Sequence, residues 1–312
     1  MAINTIALAE KMTGELDKAV VQKAQTGFFA DNALRTKFVG AGTVIIPDLD
    51  MNGLGDYDRD AGFAQGAMTV KHNSYTLSMD RGRTFQLDAQ DEDESGIPGF
   101  AGQVMGEFVR TKVVPEMDAY VLSKIATYAT GKSQTVTGTP ASQAYAMFTE
   151  ALGKAQNAIG YDEEMVAFLD STMWAAFQKT TEISRSITVS DFRKGDVDLK
   201  VKSINGVPLF PVSDSRMKDS FTFYDGKTAG GEDAADQRPG GFVPAESAKN
   251  VGLIVMPKRA VSLVKKTEKV RVFSPDKNLN ADAWKFDYRL YYDAFVRNSL
   301  GGGVFAYTYT AS

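Results

Sequence analysis

The sequence predicts an α+β fold, and three observations carry the prediction. In the first half, apolar residues recur at helical spacing, at Leu8, Met12, Leu16, Ala19, Val20 and Ala24, and again at Val104, Phe108, Met117, Val121, Ile125 and Tyr128. From Thr43 to Asp88 the spacing changes to period two on either side of a Gly/Asp-rich tip. In the last third, "VGLIVMP", "KVRVFSP", "WKFDYRLYYDAFV" and "GVFAYTYT" are mostly strand-like.

At 312 residues the chain is long for one compact unit and comfortable for two. Charged residues make up 24% of it and the net charge is −4, so it offers no polyanion-binding surface of the kind a DNA-binding domain needs. It contains no apolar run of about 18 residues. Its start, "MAINTIALAEKMTGELDK", lacks a basic segment followed by an apolar one, so an intracellular product without a secretion signal is expected. With no cysteine, disulfides, thiol catalysis and thiolate zinc sites are excluded. With one histidine, His72, a Ser-His-Asp triad and a histidine cluster are disfavoured.

Asn4 is placed to cap a helix from Thr5 to about Gln25, which stands alone like an arm. "TVIIPDL", the tip "DMNGLGDYDRDAGFAQG", "AMTVKHNSYTLSM" and "RTFQLD" read as one long β-hairpin with a mobile tip. Residues 99–130 read as a long helix that Pro115 must kink or restart, because proline removes a backbone donor. Thr139 and Pro140 fit the cap and first turn of a second helix with Ala144, Phe148, Leu152 and Ala155 on one face. A strand "MVAFLD", a short helix after Ser171 and a hairpin turning at Asn205 and Gly206 follow. Residues 225–250 are rich in Gly, Pro and acids and read as an exposed loop.

The chemical-looking motifs are incomplete. Residues 48–59 match a calcium loop at Asp48, Asp50, Asn52, Gly53 and Asp56, but the position of the bidentate Glu is Arg59. Gly131, Lys132 and Ser133 resemble the tail of a phosphate loop, yet they end a helix rather than begin one. The acidic run at 88–94 has no phosphate-binding element beside it and reads as a solvated face. Trp284, Phe286, Tyr288, Tyr291 and Tyr292 alternate with charges and read as sheet packing. No catalytic, cofactor or metal residue is assigned, no cofactor is expected, and the chain is read as not an enzyme.

The hairpin carries more information. It has too few apolar positions for a core of its own, and a lone two-stranded hairpin is marginal in water. Together with the N-terminal helix it gives one body two extensions, as expected of a subunit that interlocks with its neighbours.

In the order in which they occur, "GLGDYDRDAGF", "YTLSMDRGRTFQLDAQDEDES", "EFVRTKVVPEMDAY", "NGVPLFPVSDSRM" and "VFSPDKNLNADAWKFDYRLYYDAFV" resemble the major capsid proteins of tailed bacteriophages, the Hong Kong 97 fold, and within them those of phages of Gram-positive hosts. The resemblance spans nearly the whole chain. It implies an N-terminal arm at 1–37, an extended loop at 38–92, a peripheral domain with a spine helix at 93–159 and 258–295, and an axial domain at 160–257 and 296–312. It also implies pentamers and hexamers of an icosahedral shell around double-stranded DNA, found in the virion and assembled in the host bacterial cytoplasm. Implied partners are copies of the chain itself, a portal, a separate scaffolding protein, a decoration protein and DNA contacted non-specifically, with no membrane. A separate scaffold is expected because the arm begins close to Met1. Lys71 lies on the hairpin, but no Asn and Glu pair matches the family's crosslinking positions. A bacterial nanocompartment shell holding cargo enzymes is the alternative, and an unrecognised two-domain enzyme or binding protein the third.

The charges expected at subunit contacts are Arg59, Asp80, Arg81, Arg83, Asp91, Glu92, Asp93 and Glu94. Arg81 and Arg83 are expected to project from the hairpin base toward a neighbour, so that their reversal would spare the monomer. Deletion of residues 1–28 is likewise expected to leave the body folded.

Overall fold

The computed structural model describes residues 24–30, 37–39, 42–60, 62–88, 100–179, 188–194, 197–231 and 235–310. The expected arm helix lies outside them except for its last residues, as do Asp91, Glu92, Asp93 and Glu94.

Strands β1 (Lys37–Val39), β2 (Thr43–Met51) and β3 (Met68–Thr76) form one antiparallel sheet, with β2 and β3 paired from Thr43↔Thr76 to Met51↔Met68. This is the expected hairpin, but it is shorter than the sequence implied. β4 (Met79–Asp88), which contains "RTFQLD", turns away at Leu77 and Ser78 and joins a different sheet. The reason is its partner: Phe85 and Leu87 pack on the core beside Phe286 and Tyr288, apolar neighbours the hairpin cannot supply.

The long helix is present with a local change of winding. α1 (Phe100–Phe108) runs into a π-helical turn (Val109–Val113), and α2 (Val114–Gly131) follows. Pro115 cannot donate to the carbonyl four residues back and its ring crowds that carbonyl, so the wider turn just before it relieves both problems. The Val114 amide bonds Val109 O, and Thr111 Oγ1 donates to Glu107 O at 2.7 Å.

α3 (Pro140–Ile159), β5 (Met165–Leu169), α4 (Ser171–Lys179), β6 (Thr188–Lys194), β7 (Val197–Ile204) and β8 (Val207–Pro211) follow. Asn205 and Gly206 take the left-handed φ values of 53° and 79° that a two-residue hairpin turn requires. Within the loop expected at 225–250, Phe242–Pro244 instead form β10, which pairs with β9 (Phe221–Phe223) in a small ribbon. β11 (Asn250–Pro257), β12 (Val261–Phe273), β13 (Ala283–Val296) and β14 (Phe305–Tyr309) complete the chain.

Two larger sheets organise the body: β14-β11-β5-β8-β7-β6, in which only β5 and β8 pair in parallel, and β12-β13-β4. Period two sends β5 into two cores at once. Met165, Ala167 and Leu169 face α3 and α4 with Phe148 and Phe177, while Val166 and Phe168 face α2 and the arm root. The second core continues through Met117 and Val121 to Phe286 and Tyr292 of β13, so one apolar interior joins both sheets.

The arm root belongs to this interior. Phe28 and Phe29 are buried, and Phe28 stacks with Phe168 and Phe210 at centroid distances of 6.2 and 5.6 Å. The buried Asp118 of α2 accepts from Gln25 N (3.1 Å), Thr26 N (3.0 Å), Thr26 Oγ1 (2.7 Å) and Arg216 Nη1 (3.2 Å). The expectation that deleting residues 1–28 spares the body is therefore corrected. Removing residues 1–28 takes out Phe28, a core phenylalanine worth about 3–5 kcal/mol, together with the Gln25 and Thr26 groups bonded to the buried Asp118, from a total of about 5–15 kcal/mol. That chain should lose its cooperative thermal transition by circular dichroism, whereas one lacking only residues 1–23 should keep it.

Candidate subunit-contact site

The hairpin reaches outward by the length of nine paired residues, roughly 30 Å. Of the nine exposed large apolar side chains among the described residues, six lie here: Met51, Leu54, Tyr57, Phe63, Met68 and Val70. Leu54 and Phe63 at the tip are 108% and 87% exposed. The tip has local order. Asp58 and Gly62 exchange backbone hydrogen bonds of 3.1 and 2.8 Å, Asp58 Oδ1 accepts from Asp60 N, and the Tyr57 and Phe63 rings lie 4.9 Å apart. Arg59 is exposed in this turn. Grouped apolar exposure of this kind marks a contact surface more than scattered single residues do.

The hairpin is fastened at its root. Leu77 is buried with Val44, Val264 and Phe295, and its amide donates to Gly42 O at 2.8 Å. A Cβ at Gly42 would lie 2.2 Å from Tyr291 Oη, so any larger residue there requires the Tyr291 side chain to shift. Asp293, 1% exposed on β13, holds the Ser78 corner: Ser78 N and Ser78 Oγ donate to Oδ2 at 3.0 Å each, Tyr120 Oη donates to Oδ1 at 2.8 Å, and Lys124 Nζ pairs with Oδ1. Burial pushes the Tyr120 phenol up, so it stays a neutral donor.

At the hairpin base the structure changes the reading of the charges. Arg81 is spent inside its own chain: its Nε and Nη2 fork onto Glu116 at 2.6 and 3.2 Å, and Nη1 and Nη2 also donate to Tyr224 O (2.7 Å) and Gly241 O (3.2 Å). Glu116 sits just past the π-helical turn, inside the continuous helix that runs from α1 into α2, so its charge is met by Arg81 rather than by a helix end. Arg81 therefore ties β4, α2 and the 224–241 loop together, and the planar fork suits that task. Asp80 is also engaged internally, by Arg289 at 2.9 and 2.6 Å, and that hydrogen-bonded guanidinium holds its carboxyl below the usual range. Arg83 is exposed and donates to Arg238 O at 3.1 Å.

The sequence reading missed Asp293, Asp118, Glu116, Lys124, Arg216 and Arg289. A signal was present for two of them. Asp293 sits inside "YYDAFV" and Asp118 inside "MDAYV", and a lone acid within an apolar run is a candidate buried, partnered group.

No protein-family model matches the chain, and no curated protein is similar to it. Solved structures are. A capsid structure of the cyanophage P-SCSP1u superposes with a TM-score of 0.54 at 12% identity, covering 88% of this chain and 86% of that one. A virus-like particle from Pyrococcus furiosus gives 0.53 at 9% identity, covering 96% and 99%. A structure from Mycobacterium phage Che8 gives 0.51 at 10% identity, covering 86% and 84%. The chain has the Hong Kong 97 capsid fold. Among the described residues, no helix is long and apolar enough to cross a membrane.

Proposed function

We propose that this chain is a shell subunit, many copies of which assemble into pentamers and hexamers of an icosahedral capsid around double-stranded DNA. One observation carries the reading: on a capsid fold, a firmly rooted hairpin holds a cluster of exposed apolar side chains away from its own body. In water that arrangement is unfavourable, and a neighbouring copy would relieve it. The role is architectural. Arg59, Arg83 and the acidic run Asp91, Glu92, Asp93 and Glu94 are the charges proposed to meet a neighbour, each contributing little alone but fixing register. Asp80 and Arg81, which the sequence placed with them, serve the fold of their own chain.

The mild net charge of −4 suits a lumen that must hold DNA without gripping it, since each added Lys or Arg would strengthen counterion-driven binding. A portal, a separate scaffold and a decoration protein are further proposed partners, with the virion as the location and the host cytoplasm as the place of assembly. The full-length match to the Pyrococcus furiosus virus-like particle favours a second reading, a protein-only compartment holding cargo enzymes.

Analytical ultracentrifugation of the expressed chain tests both. A megadalton boundary is expected, and nucleic-acid absorbance in that boundary selects the DNA container over the cargo compartment. A small oligomer alone would overturn both readings.

A further inference from the structure

The chain contains two Asn-Gly pairs, Asn52-Gly53 at the start of the hairpin tip and Asn205-Gly206 between β7 and β8. All four residues are exposed, so water reaches both pairs alike. Their backbones differ. Asn205 and Gly206 are held in the two-residue turn at φ values of 53° and 79°, between Ile204 and Val207, which pair across it and are buried. The Asn205 side chain also has a partner, its Nδ2 donating to Tyr145 Oη at 3.4 Å.

Asn52 stands where the β2–β3 ladder stops. Its amide donates to Ala67 O at 3.1 Å, and the residues that follow, through Tyr57, belong to no helix or strand. Among the described residues, neither the Asn52 side chain nor the Gly53 amide has a hydrogen-bond partner. A Cβ built on Gly53 would meet nothing within 4 Å, so the peptide after Asn52 has room to rotate. Glycine also leaves its own nitrogen uncrowded and opens dihedrals closed to other residues.

We propose that Asn52 is a site of spontaneous covalent modification, at which the Gly53 nitrogen closes on the Asn52 side chain and the amide is exchanged for a carboxylate. In the first step Gly53 N gives its proton to solvent base and bonds to Asn52 Cγ, the Cγ–Nδ2 bond breaks, and ammonia leaves from a five-membered succinimide. In the second, a water molecule opens that ring. Cleavage between Cγ and the ring nitrogen leaves aspartate, whereas cleavage at the backbone carbonyl leaves isoaspartate, in which the chain runs through Cβ and Cγ. Water is the sole co-reactant, and no neighbouring copy is needed. The product adds a negative charge beside Asp50, Asp56, Asp58 and Asp60, and the isoaspartate form lengthens the backbone just where the tip leaves the ladder. Asn205 is spared, because bringing Gly206 N onto its Cγ turns the intervening peptide out of the hairpin turn.

Full-length subunits, separated from any particles by gel filtration, are incubated in warm, mildly alkaline buffer, with a parallel sample unfolded in guanidinium chloride. Aliquots taken over days are digested at acidic pH and mapped by mass spectrometry, with aspartate and isoaspartate peptides resolved by chromatography. In the native sample the Asn52 peptide is expected to accumulate both products while the Asn205 peptide lags about tenfold or more, a difference that needs only about 1.4 kcal/mol of extra barrier. In guanidinium the turn is gone, and the two pairs should convert at similar rates. Gly53 takes no left-handed φ and has open space around it, so Gly53→Ala leaves the fold intact and should remove most of the native conversion at Asn52. Native Asn52 that stays intact while the unfolded sample converts both pairs would overturn the proposal. Equal native rates at Asn52 and Asn205 would also overturn it, because the fold would then not be selecting the site.

Discussion

An Asp293→Ala chain is expected to melt roughly 4–6 °C below the unsubstituted protein, the shift corresponding to about 3 kcal/mol in a chain of this size. Removing the carboxylate takes the shared acceptor from the Ser78 amide and hydroxyl and the Tyr120 hydroxyl. Ser78 is exposed and its hydroxyl lies 2.8 Å from Tyr120 Oη, so most of the loss comes from breaking the Lys124 pair at a carboxylate that is 1% exposed. The loss stays near the lower end for a broken buried pair because the Lys124 side chain is 36% exposed and can turn to water. The damage should be local as well as global. Ser78 is the corner where the hairpin leaves β4, so amide exchange at Leu77 and Ser78 should accelerate more than exchange within α3. Melting within about 2 °C of the unsubstituted chain would show that this network does not hold the corner.

Arg81→Glu is expected to be at least as costly, which reverses the expectation drawn from the sequence. The substituted carboxylate would face Glu116, and the Tyr224 and Gly241 carbonyls would lose their charged donor. The pair is mostly out of water, with side-chain exposures of 24% and 15%, so the penalty is that of a broken, largely buried contact, about 3 kcal/mol or more. The Arg81 guanidinium also lies 5.9 Å from the Phe223 ring, a contact that is lost with it. Combining Arg81→Glu with Glu116→Arg should restore part of the loss, since the charges again pair while the two carbonyls depend on where the new guanidinium can reach. Thermal melts of the two single variants and the double variant close this cycle. By contrast, Arg83 is exposed, and its reversal should leave the melt nearly unchanged. An Arg81→Glu melt equal to that of the unsubstituted chain would return Arg81 to the role of a contact held for a neighbour.

The fold was legible where pattern alone determines it. The stripe of Ala144, Phe148, Leu152 and Ala155, the turn at Asn205 and Gly206, and the alternation of Phe286, Tyr288 and Tyr292 each follow from local periodicity or a local φ requirement, and each is observed. What was not legible depends on which strand meets which. "RTFQLD" alternates equally well in a hairpin and in a three-stranded sheet, and only its pairing with β13, two hundred residues later in the chain, separates the two. The same long-range choice gave Arg81 an internal partner, because Glu116 and the 224–241 loop converge on it only in the folded chain. Pro115 announced a disturbance without specifying its form, since a kink, a restart and a π-turn all satisfy a missing donor. Of the candidate contact residues, those of the tip were identifiable as exposed and irregular.

The central claim is that copies of this chain close into a shell, and negative-stain electron microscopy of the purified full-length protein tests it most directly. The account predicts round, hollow particles of uniform diameter, lost when Leu54, Tyr57 and Phe63 are replaced together by serine while the circular dichroism of the body is retained. A field of small, compact oligomers from the unsubstituted chain under all assembly conditions, or uniform particles from the triple serine variant, would contradict it.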